Sequence, residues 1–187
     1  MFEALLSKLA RGLDRRGIPY MLIGGQAVLL YGEPRLTRDV DVTLGVGPEK
    51  LSLILDLAKE SGWKVLTDSP ADFVAQTLVL PCLDSSSGIR IDLVFSFSAY
   101  ERQAIERARP IQVEGTTVQY AAVEDVIIHK VVAGRPRDLE DVHSILLKNP
   151  QVDVAYIRRW LREFDAAQEE DLSTRFEEVW KARGESS

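Results

Sequence analysis

The stretch from Leu22 to Leu44, LIGGQAVLLYGEPRLTRDVDVTL, constrains this chain more than any other. It reads as strand, glycine turn, short helix, basic loop and second strand. Side chains alternate along a strand, so Asp39 and Asp41 leave on one face. Val40, Val42 and Leu44 leave on the other, toward a core. Two carboxylates one pleat apart suit a hard divalent cation such as Mg²⁺, which takes oxygen ligands and keeps waters and phosphates in the rest of its shell. Upstream, Gly24 and Gly25 let backbone N–H groups approach an anion with no Cβ in the way. A helix starting there adds partial positive charge at its N-terminus. A phosphate cradle followed by a metal strand is the layout of a nucleoside triphosphate site. A half-exposed structural strand carries the same alternation, so the acids alone leave both readings open.

At 187 residues the whole chain has room for one domain with a helical appendage. The single Cys82 excludes an internal disulfide and fits a reducing compartment as a small core residue. No apolar run reaches the roughly 18 residues of a membrane span, and Met1-Phe2-Glu3 lacks the basic start of a signal peptide. The expectation is a cytoplasmic protein with no membrane partner. A net charge of −6 argues against a broad nucleic-acid-binding surface. Local basic groups remain: Arg35 and Arg38; Lys130, Arg135 and Arg137; Arg158, Arg159 and Arg162.

Helical spacing of Phe2, Leu5, Leu6, Leu9 and Leu13 predicts an amphipathic helix over 2–16, ended by Gly17. A second helix is expected over 48–61, a strand over 63–66, and a loop or single helical turn over 68–73. Residues 77–83 and 89–95 read as a hairpin around the polar loop Asp84 to Gly88. Its second arm puts Ile89, Ile91, Leu93 and Phe95 on one face and leaves Asp92 on the other, between Arg90 and Val94. A polar helix over 98–107 and a small hairpin over 110–120 follow. The helix over 121–132 has an apolar stripe of Val123, Val126, Ile127 and Val131, with Lys130 inside it. A lysine there needs an anionic partner or must snorkel. Gly134-Arg135-Pro136 breaks the helix, Asp138 opens the next, and two more helices are expected over 153–165 and 170–183. His129 and His143 lack the partner spacing of a zinc site.

The glycine pair, the basic loop and the Asp39-Val-Asp41 strand together resemble the polymerase-beta-type nucleotidyltransferase superfamily. Arg35, Thr37 and Arg38, with the later HKVVAGRPRDLEDV, resemble its AbiEii-like abortive-infection branch, which includes toxins of toxin–antitoxin pairs. The likeness spans about residues 18 to 145. It implies an α/β fold: a twisted mixed β-sheet flanked by helices over 1–120, and a C-terminal helical portion over 121–187. It implies Mg²⁺ as cofactor, an NTP as co-substrate, and transfer of an NMP to a hydroxyl with release of pyrophosphate.

By the same resemblance Asp92 is the third metal acid beside Asp39 and Asp41, although a salt bridge to Arg90 or another basic group explains it equally well. Gly24, Gly25, Arg35, Thr37 and Lys130 would serve the triphosphate. A planar guanidinium suits a bidentate phosphate contact, which favours Arg35. Asp138 maps to a site or site-supporting acid that orients Lys130; a plain helix-start acid, or a partner for Lys130 or Arg135, is the alternative. Gln26 departs from the small residue that the superfamily often has there. The acceptor is left open among a tRNA 3′ end or other RNA, a protein side chain and a small molecule such as an aminoglycoside. A cognate antitoxin is the implied partner of a toxin-like member. The competing readings are a non-catalytic nucleotide-binding module and an antitoxin-docking protein. The presence of all three acids favours catalysis.

Overall fold

The computed structural model describes residues 1–34, 36–96, 98–168 and 171–185. The chain divides into two compact units, Met1–Gln26 with Thr37–Ala121, and Ala27–Leu36 with Ala122–Ser187. The mixed sheet and helices give the expected α/β class.

The first unit is built on a seven-stranded sheet among the described residues. Its strands are β1 (Tyr20–Ile23), β2 (Asp39–Leu44), β3 (Trp63–Val65), β4 (Val79–Asp84), β5 (Arg90–Phe95), β6 (Arg109–Val113) and β7 (Thr116–Tyr120), in the order β3-β4-β5-β2-β1-β7-β6. Strands β2 and β5 pair in parallel at the centre; β1 pairs antiparallel with β2 and in parallel with β7. The core face is set by alternation. Val40, Val42 and Leu44 on β2 are fully buried, as are Ile91 and Leu93 on β5 and Leu80 and Cys82 on β4. Each of the large aliphatic side chains contributes roughly 1.5–3 kcal/mol by leaving water. A one-residue slip of β2 would put Asp39 and Asp41 into that core.

Helix α1 (Phe2–Asp14) packs Leu5, Leu6, Leu9 and Leu13 inward against β6 and β7, and Ser7 Oγ donates to Val113 O at 2.8 Å. Helix α2 (Gly24–Tyr31) follows β1 directly. A 3₁₀ turn at Pro48–Lys50 leads into α3 (Leu51–Glu60), which buries Ile54, Leu57 and Ala58. One sequence expectation changes here. The loop or single turn expected over 68–73 is the start of a two-turn helix, α4 (Pro70–Thr77). Pro70 occupies its first turn, where a fixed φ and a missing N–H cost nothing, and Asp72 sits at its positive end. With Val74 its buried residue, the helix had little periodicity to read. Helix α5 (Ala99–Glu106) is capped by Ser98 Oγ, which accepts from Glu101 N at 3.3 Å.

The second unit is helical: α6 (Val123–Ala133), α7 (Pro136–Lys148), α8 (Val154–Gln168) and α9 (Leu172–Glu185). Gly134 ends α6 in the left-handed region at φ 63°, and Pro136 begins α7. Tyr156 OH donates to Asp125 Oδ1 at 2.8 Å, tying α8 to α6. The Asp165 carboxylate accepts from Leu172 N at 2.6 Å and Ser173 N at 3.0 Å, capping α9. The Arg158–Arg162 basic run is drawn into this packing. Arg158 meets Glu177 at 2.6 Å, Arg159 lies over the rings of Tyr156 and Trp160, and Arg162 Nε donates to Arg158 O at 3.1 Å. Among the described residues no helix is long and apolar enough to cross a membrane.

Candidate functional site

In the first unit the candidate residues meet on the β1–β2–β5 part of the sheet. The register pairs Asp41 with Asp92 and Asp39 with Arg90 across the parallel strands, so all four side chains leave on one face. Neighbouring strands lie roughly 4.8 Å apart, a span that one cation bridges between two carboxylates. Ile23 is paired with Asp41 on the other side of β2, which brings the glycine pair alongside the acids. Gly24 has φ +63°, and a Cβ there would fall on Asp41 Oδ2. The missing side chain at Gly24 is therefore what lets the first turn of α2 approach the carboxylate. Gly25 lies buried in that turn. Gln26 does not leave its amide open to a ligand: its Nε2 donates to Thr37 Oγ1 at 2.8 Å, and both residues are buried. That bond anchors Thr37 just before β2. Arg35 lies outside the described residues.

Asp92 is held by its strand neighbour. Arg90 Nε donates to Asp92 Oδ1 at 2.9 Å and Oδ2 at 3.1 Å. The Asp92 carboxylate raises the Arg90 pKa by accepting this bond, partly opposed by burial and helped by the negative charges of Asp39 and Asp41. The salt bridge read as an alternative in the sequence is thus present. Among the described residues no three His, Cys, Asp or Glu side chains are gathered as a metal cage. With Asp92 folded onto Arg90, its oxygens are turned to the guanidinium. The donor type still suits a hard divalent cation: Asp41 and Asp92 are in register on adjacent strands, with Asp39 on the same face, beside a backbone turn kept clear by Gly24.

The second unit gathers the other candidates. Lys130 is buried, and its Nζ lies 2.6 Å from Asp138 Oδ1 and 2.9 Å from Asp141 Oδ2. Arg135 Nε meets Asp138 Oδ2 at 2.6 Å. Burial pushes the Asp138 carboxyl up, but hydrogen bonds from Arg135 and Lys130 outweigh it and hold the pKa below the usual range. Asp138 is thus both an acid in the first turn of α7 and a partner of Lys130 and Arg135. Sequence reading gave no role to Asp141. Its signal was the i, i+3 spacing from Asp138, which places both on one helix face. Burial pushes the pKa of His129 down to about 4 and keeps the ring neutral.

A family model described as "Nucleotidyltransferase of unknown function (DUF6036)" matches residues 2–183. The chain belongs to this nucleotidyltransferase family. No curated protein matches the sequence. Among solved structures, the nucleotidyltransferase fold recurs in the antibiotic-resistance factor ANT(2″)-Ia, at 17% identity and a TM-score of 0.60 over 89% of this chain and 94% of that one. An antigenic nucleotidyltransferase-like protein from Paracoccidioides brasiliensis shares it at 18% identity and a TM-score of 0.56, covering 94% and 91%. MenT4, a nucleotidyltransferase toxin from Mycobacterium tuberculosis H37Rv, shares it at 13% identity and 0.53, covering 89% of this chain and 65% of the toxin. At these identities the likeness is one of fold.

Proposed function

We propose that this nucleotidyltransferase moves an NMP from an NTP to an acceptor hydroxyl with Mg²⁺, releasing pyrophosphate. The observation that carries the reading is the register of β2 and β5, which sets Asp41 beside Asp92 with Asp39 on the same face, next to the Gly24 turn. The acceptor oxygen forms a bond to the α-phosphorus, the bond from that phosphorus to the β-phosphate bridge breaks, and the hydroxyl proton leaves to solvent. Mg²⁺, when bound, neutralises phosphate charge and favours ionisation of the hydroxyl. Asp39, Asp41 and Asp92 would hold it. The N–H groups of the Gly24–Gly25 turn and the start of α2 would face the triphosphate. The triphosphate roles of Arg35, Thr37 and Lys130, and the supporting role of Asp138, are carried by the family resemblance. Positioning and charge stabilisation dominate such transfers.

The test is transfer of label from each α-³²P-NTP onto total RNA, total protein and a small-molecule panel, with Mg²⁺. Label in one pool, absent with Asp41→Asn, supports the reaction and names the acceptor class. ANT(2″)-Ia has been solved with adenylyl-2″-tobramycin, so aminoglycosides head the small-molecule panel, and the family resemblance puts tRNA first in the RNA pool. Unchanged turnover in a folded Asp41→Asn variant would remove the metal assignment.

A further inference from the structure

Arg90 and Asp92 leave β5 on the acidic face, and Arg90 stands in register with Asp39. Its Nε reaches both oxygens of Asp92, at 2.9 and 3.1 Å. Those are the atoms that a cation would need. The Arg90 side chain is 54% exposed and that of Asp92 20%, so the guanidinium can swing into water at little desolvation cost. Asp41 and Asp92, paired across the strands, repel one another when ionised, and Asp39 adds to that repulsion.

We propose that Arg90 is a resident counter-cation for Asp92 in the carboxylate cluster: it holds Asp92 while no metal is bound and gives it up when a divalent cation enters. This rests on reading the three acids as metal ligands. A guanidinium is planar, weakly hydrated and matched to a carboxylate, but it carries one charge where the incoming ion carries two. Arg90 therefore steadies the empty site and weakens its grip on a bare cation. A cation arriving with a triphosphate brings oxygen ligands and compensating negative charge, so it competes better than the ion alone. Arg90 thereby couples metal loading to nucleotide arrival, as a positioning residue acting through Asp92.

The test is the dissociation constant for Mn²⁺ without nucleotide, read by electron paramagnetic resonance, in the wild type, Arg90→Gln, Arg90→Lys and Asp41→Asn. Arg90→Gln should bind Mn²⁺ on the order of tenfold more tightly, the scale of removing one unit charge beside a divalent ion in a water-like medium. Arg90→Lys, which keeps the charge, should stay within about threefold of the wild type. Should Arg90→Gln fail to fold, the wild type carries the test by itself. The Arg90 Nε–H resonance, identified by its loss in Arg90→Lys, should lose its salt-bridged shift on saturation with diamagnetic Mg²⁺. Unaltered or weaker Mn²⁺ binding in Arg90→Gln, or an Nε–H signal unmoved by Mg²⁺, overturns the proposal while Asp41→Asn still loses the ion. Retained Mn²⁺ binding in Asp41→Asn instead overturns the metal reading beneath it.

Discussion

Gly24→Ala separates backbone strain from site geometry. Gly24 has φ +63° and a Cβ built on it collides with Asp41 Oδ2, whereas Gly115 has φ +72° with nothing within 4 Å of the same added atom. Both alanines are held in the left-handed region, at a cost of roughly 1–2 kcal/mol. At Gly24 the Asp41 side chain must also leave its rotamer, adding about 0.5–1.5 kcal/mol. Gly115→Ala should therefore lose about 1 kcal/mol in urea denaturation and Gly24→Ala about 2 kcal/mol, both well short of unfolding a domain of ordinary stability. Function should divide far more sharply. A displacement of about 1 Å at a reacting centre costs on the order of a hundredfold in rate. NTP turnover and Mn²⁺ affinity should collapse in Gly24→Ala and stay near wild type in Gly115→Ala. If Gly24→Ala keeps both within about threefold of Gly115→Ala, Asp41 is not the atom around which this turn was shaped, and the argument from close approach fails.

Other perturbations probe the ion networks. Lys130→Met leaves Asp138 and Asp141 buried without their shared cation; it should cost about 3–5 kcal/mol in urea denaturation, and a loss below about 1 kcal/mol would show that the cluster relaxes freely. Asp84 is pushed up by burial, but bonds from Ser86, Ser87 and Lys8 outweigh this and bring its pKa down to about 2. A folded pKa below the unfolded value of about 3.9 means that Asp84 contributes about 2 kcal/mol, fully present above pH ~4 and lost as pH falls toward ~2. Asp84→Asn should flatten the acid limb of a stability-versus-pH curve, and an unchanged slope would count against the assignment.

Much of this was legible because local periodicity reports faces. Asp39 and Asp41 alternate with Val40 and Val42, and the structure keeps that division. Ile91, Leu93 and Phe95 likewise set Asp92 apart from the core. Lys130 on an apolar helix face called for an anion, and two answered. Periodicity does not report neighbours. The pairing of Asp41 with Asp92 joins strands separated by α3, β3, α4 and β4, and that register is a tertiary fact. The sequence placed Asp84 in a polar loop; it is instead a buried strand end whose carboxylate organises that loop. Helix α4 escaped because its first-turn proline reads equally as a turn.

The two charged clusters differ in what they ask of a ligand. On the helices, Lys130 and Arg135 meet Asp138 and Asp141, two cations against two carboxylates, with the Lys130, Asp138 and Asp141 side chains at most 8% exposed. Such a cluster neutralises itself, and drawing Lys130 out of it would strand buried negative charge. On the sheet, Asp39, Asp41 and Asp92 share one face, where Arg90 bonds both oxygens of Asp92. The cation proposed above would meet three carboxylates on that face of β2 and β5. The helical cluster is better suited to hold Lys130 in one orientation than to release it. Lys130→Arg makes the distinction measurable: a longer cation in a filled cluster should lower stability first, and a rise in KM for NTP at unchanged stability would instead place Lys130 on the triphosphate.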